Sequence, residues 1–305
     1  MITADRHAGR SVQARTRQRR GNALPFAAHV LAVAVLAGCA RREPPPANEV
    51  VALRAAALAS DPGDAAWARA PEFVAPLIPQ DMVEPRQLVA STGVVRVRAL
   101  QDGTRIAFRL AWVDSTFDDL PRPARFSDAC AVQLPQHFGP DLPAPQMGEA
   151  GKPVEITYWS AAWQAVVNGR PDSIQAIYPR ATVDHYPYAA PSLAKDRVAQ
   201  EEFARRYAPA RALGSPQSHP PGQPVQDLLA EGPGTLTPAA TTRSTGRGAY
   251  AKTLWSVVLV RPLPETMRST DRAQVAFAVW NGGAGEIGAR KMRTGWVPMS
   301  LGGAP

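Results

Sequence analysis

Two side chains that lie far apart in the sequence could together ligate a metal ion. Lys291 ends a glycine-rich segment that begins at Asn281, and it is one of only four lysines among 305 residues. Met147 lies between a proline-rich segment and an apolar one. A thioether is a soft ligand, and a neutral amine also offers a lone pair to a transition metal. A lysine in such a loop is usually solvated and a loop methionine usually fills a gap, so the residue types alone leave both interpretations open.

A thioether and an amine are suited to the two axial positions of a haem iron. Met is neutral and soft and favours reduced iron, which raises the reduction potential. Lys binds only after it loses its proton, which a desolvated pocket and the metal itself both favour. Iron with both axial positions filled has no open site for a substrate. The pair would therefore serve electron transfer rather than catalysis.

The sequence lacks the motifs of common hydrolases and nucleotide-binding enzymes. It contains no Gly-x-Ser-x-Gly, no His-Glu-x-x-His and no phosphate-binding loop. Its five histidines are scattered, and its two cysteines, Cys39 and Cys130, form no Cys-x-x-Cys motif. We therefore expect a protein that is not itself an enzyme, with neither a thiolate metal cluster nor covalently attached haem.

The N-terminus resembles a bacterial export signal that ends at a lipidation site. Residues 1–38 hold six arginines and one aspartate, so they supply most of the net charge of +8. No clustered basic face with interleaved aromatics remains, and we expect no nucleic-acid partner. An apolar stretch at residues 24–36 leads into Leu-Ala-Gly-Cys ending at Cys39, which resembles a lipobox. We expect a lipid on Cys39 to anchor the exported protein on the periplasmic side of a membrane; in the alternative, Cys39 is incidental to an ordinary export signal.

Apolar alternation predicts a chain built mainly from strands. The clearest pair is Val94–Leu100 and Ile106–Trp112, joined by a hairpin turn at Asp102-Gly103. The 31 prolines favour strands and long loops over helices. About seven strands with a few short helices predict an all-β fold, a β-sandwich of mostly antiparallel strands. The other main strands are predicted at Asp128–Leu134, Val154–Trp163, Trp255–Val260 and Val275–Trp280.

The chain divides into three parts. Residues 1–38 are predicted as the signal peptide, 39–60 as the lipidated cysteine and its tether, and 61–305 as one sandwich domain. A short helix is predicted near the end of the tether, at Val51–Leu58. Residues 169–249 are polar and poorly periodic, and they are predicted as a long functional or mobile loop with one helix at Lys195–Arg206.

Five groups of residues recur together in the order and spacing of a known family, although no single group is specific. They are DACAVQLP at 128–135, Met147-Gly148 with PVEITYW at 153–159, AEGPGTLT at 230–237, WSVV at 255–258 with RPL at 261–263, and FAVWNG at 277–282 leading to Lys291. From about Trp67 to Leu301 the chain resembles the haem b-binding γ subunit of periplasmic molybdenum enzymes of the dimethyl sulfoxide reductase family. That group includes the ethylbenzene and dimethyl sulfide dehydrogenases.

The resemblance implies a β-sandwich that holds one haem b without covalent bonds. In this family a Met and a Lys are the axial ligands, and those positions fall on Met147 and Lys291. The resemblance also implies a subunit without substrate chemistry, which relays electrons to or from the iron–sulfur β subunit beside a molybdenum-cofactor α subunit. With a lipid at Cys39, a c-type cytochrome at the membrane becomes a further expected partner.

The chain offers other candidates for each axial position. Met292 follows Lys291 directly and, like Met299, is a second thioether that could occupy one face of the iron. His137 and His185 keep a Met–His pair open. The family members are also usually soluble, whereas this chain carries a lipidation signal.

A haem-free sandwich that binds a carbohydrate or another ligand is the alternative function. Trp112, Tyr158, Trp159 and Trp163 could form a stacking platform if they were exposed, or could simply be core residues. The position of Lys291 separates the two functions, because a buried amine serves haem ligation and has no use in a sugar site.

Overall fold

The computed structural model describes residues 47–171, 177–180, 195–199, 201–202 and 222–303. Within these residues the predicted all-β fold is confirmed, because fourteen strands form the architecture and the helices are short. The helices include a 3-10 helix at Ala65–Arg69, α1 at Ala161–Val167 and α2 at Glu265–Arg268. The strands are β1 Val50–Arg54, β2 Phe73–Pro76, β3 Ile78–Pro79, β4 Val94–Gln101, β5 Arg105–Val113, β6 Ala129–Pro135, β7 Val154–Ser160, β8 Val225–Ala230, β9 Thr237–Pro238, β10 Thr245–Ala251, β11 Leu254–Pro262, β12 Arg272–Trp280, β13 Met292–Arg293 and β14 Val297–Gly303.

The strands form one continuous mixed sheet that curls on itself. Its main path runs β10-β11-β5-β4-β1-β14-β12-β6-β7-β8-β9. Neighbours are antiparallel except that β1 is parallel to both β4 and β14. The long strand β12 joins the two halves, since Arg272–Val275 pair with β14 and Ala276–Trp280 pair with β6. The curl brings the two halves face to face, as in a sandwich.

The hairpin between β4 and β5 forms as predicted. The Asp102 carboxylate accepts hydrogen bonds from the backbone N–H groups of Thr104 and Arg105, at 2.8 and 2.7 Å. Gly103 has a φ of +94°, which a side chain would disfavour. Local turn chemistry therefore sets the register of these two predicted strands.

The main core lies between the two halves of the sheet. Phe108 on β5 meets Phe277 on β12 edge to face, with ring centroids 6.0 Å apart. Trp159 on β7 meets Trp255 on β11 in the same way at 5.1 Å. All four rings are buried, and such pairs add about 0.5–1.5 kcal/mol each beyond the burial of apolar area.

Strand β12 uses its two faces differently. Its large residues Val275, Phe277 and Val279 belong to the main core. Its small residues Ala276 and Ala278 point to the opposite face, because side chains alternate along a strand. The alternation noted in the sequence thus gives one packed face and one face with room beside it.

Two strands differ from the sequence prediction: β1 was not predicted, and β7 is shorter than predicted. Val50–Arg54 form β1, so the prediction of a tether up to residue 60 and of a helix at Val51–Leu58 is wrong there. Val50 and Ala52 alternate in burial with their neighbours, which is the pattern of a strand. The strand predicted at Val154–Trp163 ends at Ser160, and α1 begins at the next residue, Ala161.

Residues 169–249 are not one long loop, because β8 and β9 lie within them and β10 begins there. Strand β10 lacks apolar alternation for a physical reason. A Cβ at Gly246 would collide with Val225, and a Cβ at Gly248 would collide with the ring of Trp159. Glycines let β10 pass close over the core, and the same glycines remove the pattern by which a strand is recognised.

Some of the predictions concern residues outside those that the structure describes. They include the signal peptide, Cys39 with its lipid, and His185. The predicted helix Lys195–Arg206 is described only in part, and there residues 197–199 and 201–202 are helical. Among the described residues, no helix is long and apolar enough to cross a membrane.

Candidate functional site

A cavity of about 400 Å³ opens on the outer face of β6, β7, β8 and β12. Its floor consists of side chains that point away from the main core, including Ala131, Ile156, Leu228 and Ala278. The alanines allow a flat ligand to approach the sheet closely. The volume lies within the range of about 300–1,000 Å³ that is usual for pockets that bind organic ligands and cofactors.

Connecting segments form the walls of the cavity. Gln80, Val83 and Glu84 line one side, and the loop that ends at Met147 lines another. The Gln146 side-chain amide lies 3.7 Å from the sulfur of Met82, so these two walls approach each other. Most of the remaining lining is apolar, with a few polar groups from residues 288–294.

Met147 and Lys291, the predicted ligand pair, meet in this cavity. The Lys291 Nζ lies 3.9 Å from the Met147 Sδ. It also lies 5.1 Å from the centroid of the Trp280 ring, within the range of a cation–π contact. The fold thus brings a thioether and an amine to one point, although 144 positions separate them in the chain.

Met147 is held in a conformation that few non-glycine residues adopt. Its φ is +69°, a left-handed value that costs on the order of 1–3 kcal/mol and persists only when the surroundings fix it. The Met147 carbonyl accepts a hydrogen bond from the Gly232 N–H at 2.8 Å. At Gly148, with a φ of +82°, a Cβ would lie 2.9 Å from the carbonyl oxygens of Lys152 and Ala230. The loop that presents Met147 therefore depends on glycine at position 148.

Lys291 projects from a segment that is tied to the opposite wall. The Gln80 backbone N–H donates to the Lys291 carbonyl at 2.9 Å, and the Gln80 side-chain amide donates to the Ala289 carbonyl at 3.1 Å. Immediately after Lys291, β13 pairs with β3. Backbone pairing and one buried glutamine thus fix the position of the lysine.

Two buried carboxylates fasten the glycine-rich turn that precedes Lys291. Asp128 accepts a hydrogen bond from the Gly282 N–H at 2.9 Å, and Glu286 accepts one from the Asn281 N–H at 2.8 Å. Burial raises the pKa of both groups, that of Asp128 to about 7. The N–H donors oppose this rise because they stabilise the ionised form. Both carboxylates act as acceptors that hold the turn.

The surroundings of Lys291 make its charged form less favourable than that of a surface lysine. Burial lowers the pKa of Lys291 to about 8, and the positive charge of Arg293 acts in the same direction. Within the described chain no carboxylate lies within 4 Å of the amine to offset these effects. A lysine in this setting offers its lone pair more readily than a surface lysine does.

The other candidate ligands in the described chain lie away from the cavity. Met292 is fully buried in the main core, because alternation turns it away from the face that carries Lys291 and Arg293. Met299 is also a core residue. His137 is exposed and does not line the cavity.

The aromatic residues considered as a stacking platform do not form an open surface. Trp112 and Trp159 are buried in the main core, and Trp163 is 6% exposed. Tyr158 instead lines the cavity, edge to face with Trp280 at 5.4 Å between ring centroids. Tyr158 and Trp280 are therefore aromatic side chains that line the cavity beside Lys291.

Three residues of the site were missed in the sequence. Gln133 and Arg293 are buried polar residues that line the cavity, and Trp280 supplies its ring. Arg293 could have been found, because it is two positions from Lys291 and so shares its face of an extended segment.

Met147 and Lys291 offer a soft thioether and an amine, a pair that suits a metal already held by a macrocycle better than a bare ion. No group of three or more His, Cys, Asp or Glu side chains that could hold a metal occurs in the part of the chain that is described. Two protein ligands suffice where a macrocycle supplies the rest.

Comparison with known proteins gives matches over most of the chain. The family described as ethylbenzene dehydrogenase matches residues 64–292. A provisionally named respiratory nitrate reductase heme subunit, ORF7 of Haloferax mediterranei, is 26% identical over 271 residues, which cover 85% of this chain and 75% of that protein. The γ subunit of dimethylsulfide dehydrogenase of Rhodovulum sulfidophilum is 25% identical over 257 residues, covering 78% and 74%. A family 9 carbohydrate-binding module of Caldicellulosiruptor kristjanssonii, solved with cellotriose, aligns with a TM-score of 0.42 and 8% identity over 84% of this chain and 94% of the module.

Proposed function

The chain belongs to the ethylbenzene dehydrogenase family, and we propose that it is a haem-containing electron-transfer subunit of a molybdoenzyme complex. Two of its relatives are named as a heme subunit of a nitrate reductase and the γ subunit of a dehydrogenase. Subunits of this kind accompany a catalytic subunit, so this chain performs no substrate chemistry of its own. The absence of catalytic motifs in its sequence agrees with that role.

Met147 and Lys291 are, in this proposal, the axial ligands of one non-covalently bound haem b. The observation that carries the proposal is the 3.9 Å approach of their ligating atoms inside an apolar cavity. When bound, the haem would supply a one-electron centre. The Met147 thioether would favour the reduced state of that centre and so raise its potential.

The residues around the pair lower the cost of binding. Ile156, Leu228 and the alanine floor exclude water from the ligand face. Because the pKa of Lys291 falls to about 8, deprotonation at pH 7 costs roughly 1.4 kcal/mol instead of the roughly 5 kcal/mol of a free lysine. The Trp280 ring, 5.1 Å from the Lys291 Nζ, favours the charged ammonium and so offsets part of this gain.

The proposed direct partner is an iron–sulfur β subunit, with a molybdenum-cofactor α subunit beyond it. The names of the two relatives support this assembly, because each is a subunit of a larger reductase or dehydrogenase. A c-type cytochrome at the membrane surface would complete the path on the other side. Co-purification of iron–sulfur and molybdenum-containing chains with a tagged copy of this protein tests the assembly, and its recovery as a lone chain from the native host would contradict it.

We place the protein on the periplasmic side of a membrane, held by a lipid on Cys39. The support is the sequence alone: an apolar stretch at residues 24–36 that ends in Leu-Ala-Gly-Cys. Labelling of cells with a radioactive fatty acid should mark the wild type and not Cys39→Ser. An unlabelled wild type that fractionates with soluble periplasmic proteins would contradict the anchor.

The absorption spectrum tests the haem itself. The protein is produced with haem available, and its spectrum is recorded after oxidation and after reduction with dithionite. Sharp reduced bands of a six-coordinate b-type haem are expected, and acidified acetone should extract the haem because no covalent bond holds it. A folded, colourless protein that ignores added haem would contradict the proposal.

A further inference from the structure

A buried guanidinium lies in the cavity without a close counter-ion. The Arg293 side chain is only 9% exposed and lines the same cavity as Lys291. Its Nε has no hydrogen-bond partner in the described structure. Its Nη1 reaches the Thr294 carbonyl at 3.4 Å, and its Nη2 lies 3.9 Å from the carboxylate of Asp81, which is 63% exposed. These long contacts leave much of the donor capacity of Arg293 unused.

A second buried arginine shows how the fold treats such a charge elsewhere. The Arg261 side chain is 4% exposed, pairs closely with the Glu155 carboxylate and also reaches the Glu155 carbonyl. Burial of a charge is costly unless it is paired and hydrogen-bonded. Arg261 meets that requirement within the described chain, whereas Arg293 lacks an equivalent partner there.

We propose that Arg293 binds a carboxylate of the ligand that fills the cavity. This inference rests on the proposed function, in which that carboxylate is a propionate at the edge of the haem. Lys291 and Arg293 lie two positions apart in an extended segment, so about 7 Å of backbone separates them on one face. With this spacing, the Lys291 amine could reach the centre of a porphyrin while the Arg293 guanidinium reaches its edge.

The chemistry of arginine makes the site selective. Guanidinium donors form a rigid fork that matches a carboxylate in a bidentate arrangement, and lysine cannot reproduce that geometry. A planar ligand without a peripheral carboxylate would leave Arg293 buried with only its long contacts to Asp81 and the Thr294 carbonyl. The cavity should therefore discriminate haem from an equally flat, uncharged porphyrin.

The experiment compares haem with haem dimethyl ester, in which both carboxylates are blocked. A haem-free preparation of the full chain is titrated with each compound, first as wild type and then as Arg293→Met and Arg293→Lys. Arg86→Met is the control, because Arg86 pairs with Glu84 at the exposed edge of the same wall. The wild type and the control should bind haem roughly 10- to 100-fold more tightly than the diester. Arg293→Met should lose most of this preference, Arg293→Lys should keep part of it, and both should keep the spectrum of the six-coordinate haem.

The wild-type comparison needs no mutation, so the inference does not depend on the folding of a variant. Equal affinity of the wild type for haem and diester would overturn the role of Arg293 and leave haem binding intact. An unchanged preference in Arg293→Met would assign the carboxylate to another residue and overturn it as well. A wild type that binds neither compound would overturn the proposed function, and this inference with it.

Discussion

The segments that present Met147 and Lys291 are built in opposite ways. The turn before Lys291 is held by Asp128 and Glu286, and its end is paired to the neighbouring wall through Gln80 and a short strand. The Met147 loop instead holds two successive residues at positive φ and depends on the absence of a side chain at position 148. The proposed ligand Lys291 is thus held by several independent contacts, and the proposed ligand Met147 by a strained backbone.

This difference indicates where single substitutions should matter most. Several contacts hold the turn before Lys291, so the loss of one leaves the others in place. The Met147 loop needs glycine at position 148, and no other residue fits there without moving the backbone. We therefore expect one substitution in the loop around Met147 to displace the Met147 side chain. In the segment around Lys291, we expect haem ligation to be lost only when Lys291 itself is replaced.

The largest effect is expected for Gly148→Ala. The new Cβ would combine an unfavourable φ with contacts of 2.9 Å to two carbonyl oxygens, so the loop must move and take Met147 with it. We expect a loss of roughly 2–4 kcal/mol in the free energy of unfolding, measured in urea, together with loss of the six-coordinate haem spectrum.

Gly151→Ala is the matched control for that substitution. Gly151 has a φ of +76° in the same loop, but no atom lies within 4 Å of its added Cβ. It should cost about 1–2 kcal/mol and leave the spectrum unchanged. Equal effects of the two alanines would show that the close contacts at Gly148 do not position Met147.

Removal of the amine should change the chemistry more than the fold. In Lys291→Ala the iron loses one axial ligand, so the reduced protein should bind carbon monoxide, which the wild type should not. Lys252→Ala is the control, because Lys252 is exposed and lies outside the cavity. A Lys291→Ala protein that stays six-coordinate and refuses carbon monoxide would assign the position to another side chain.

In the haem-free protein, the free energy of unfolding should depend on pH because the Lys291 amine is buried. The pKa of Lys291 is about 8 in the folded state, against an ordinary value of 10.5. A lowered lysine pKa destabilises the fold fully below about pH 8, where the amine is charged in both states, and the cost disappears as the pH rises through 10.5. Relative to Lys291→Met, the wild type should therefore gain roughly 1–3 kcal/mol of unfolding free energy over that window. Urea unfolding of both proteins from pH 7 to 10.5 measures it, and parallel curves would contradict it.

The smallest effect is expected for Glu286→Gln. The Glu286 carboxylate accepts hydrogen bonds from Gln87, Ser91 and the Asn281 N–H, and an amide can keep only part of this set. We expect a loss of about 1–2 kcal/mol in unfolding free energy. The haem spectrum should not change, because Asp128 still holds the turn. An altered spectrum would mean that the contacts around Lys291 are not redundant.

The regular strands of the core could be predicted because local patterns and tertiary packing agree there. In β12 and in the β4–β5 hairpin, large apolar residues alternate with small or polar ones, and the structure places the large residues in the core. The glycine-rich strand β10 could not be predicted, since its glycines are explained only by the side chains of Trp159 and Val225 from other strands. Strand β1 was missed because its partners, β4 and β14, are distant in the sequence.

Some features of the site could also be predicted from the sequence, and others could not. Met147 and Lys291 were selected by residue type and by resemblance, and the structure brings them into contact. The strain at Met147 and the weak pairing of the Arg293 guanidinium are properties of three-dimensional surroundings, so composition and spacing could not reveal them. Only the shared face of Lys291 and Arg293 was readable, as a two-residue period.

Near-infrared magnetic circular dichroism of the oxidised haem protein would identify the two axial ligands, because the position of its charge-transfer band depends on them. We expect a band characteristic of thioether and amine ligation in the wild type, which changes in both Met147→Ala and Lys291→Ala and persists in Met292→Leu. A band characteristic of methionine–histidine or bis-histidine ligation, or a wild-type band that survives in Met147→Ala, would contradict it.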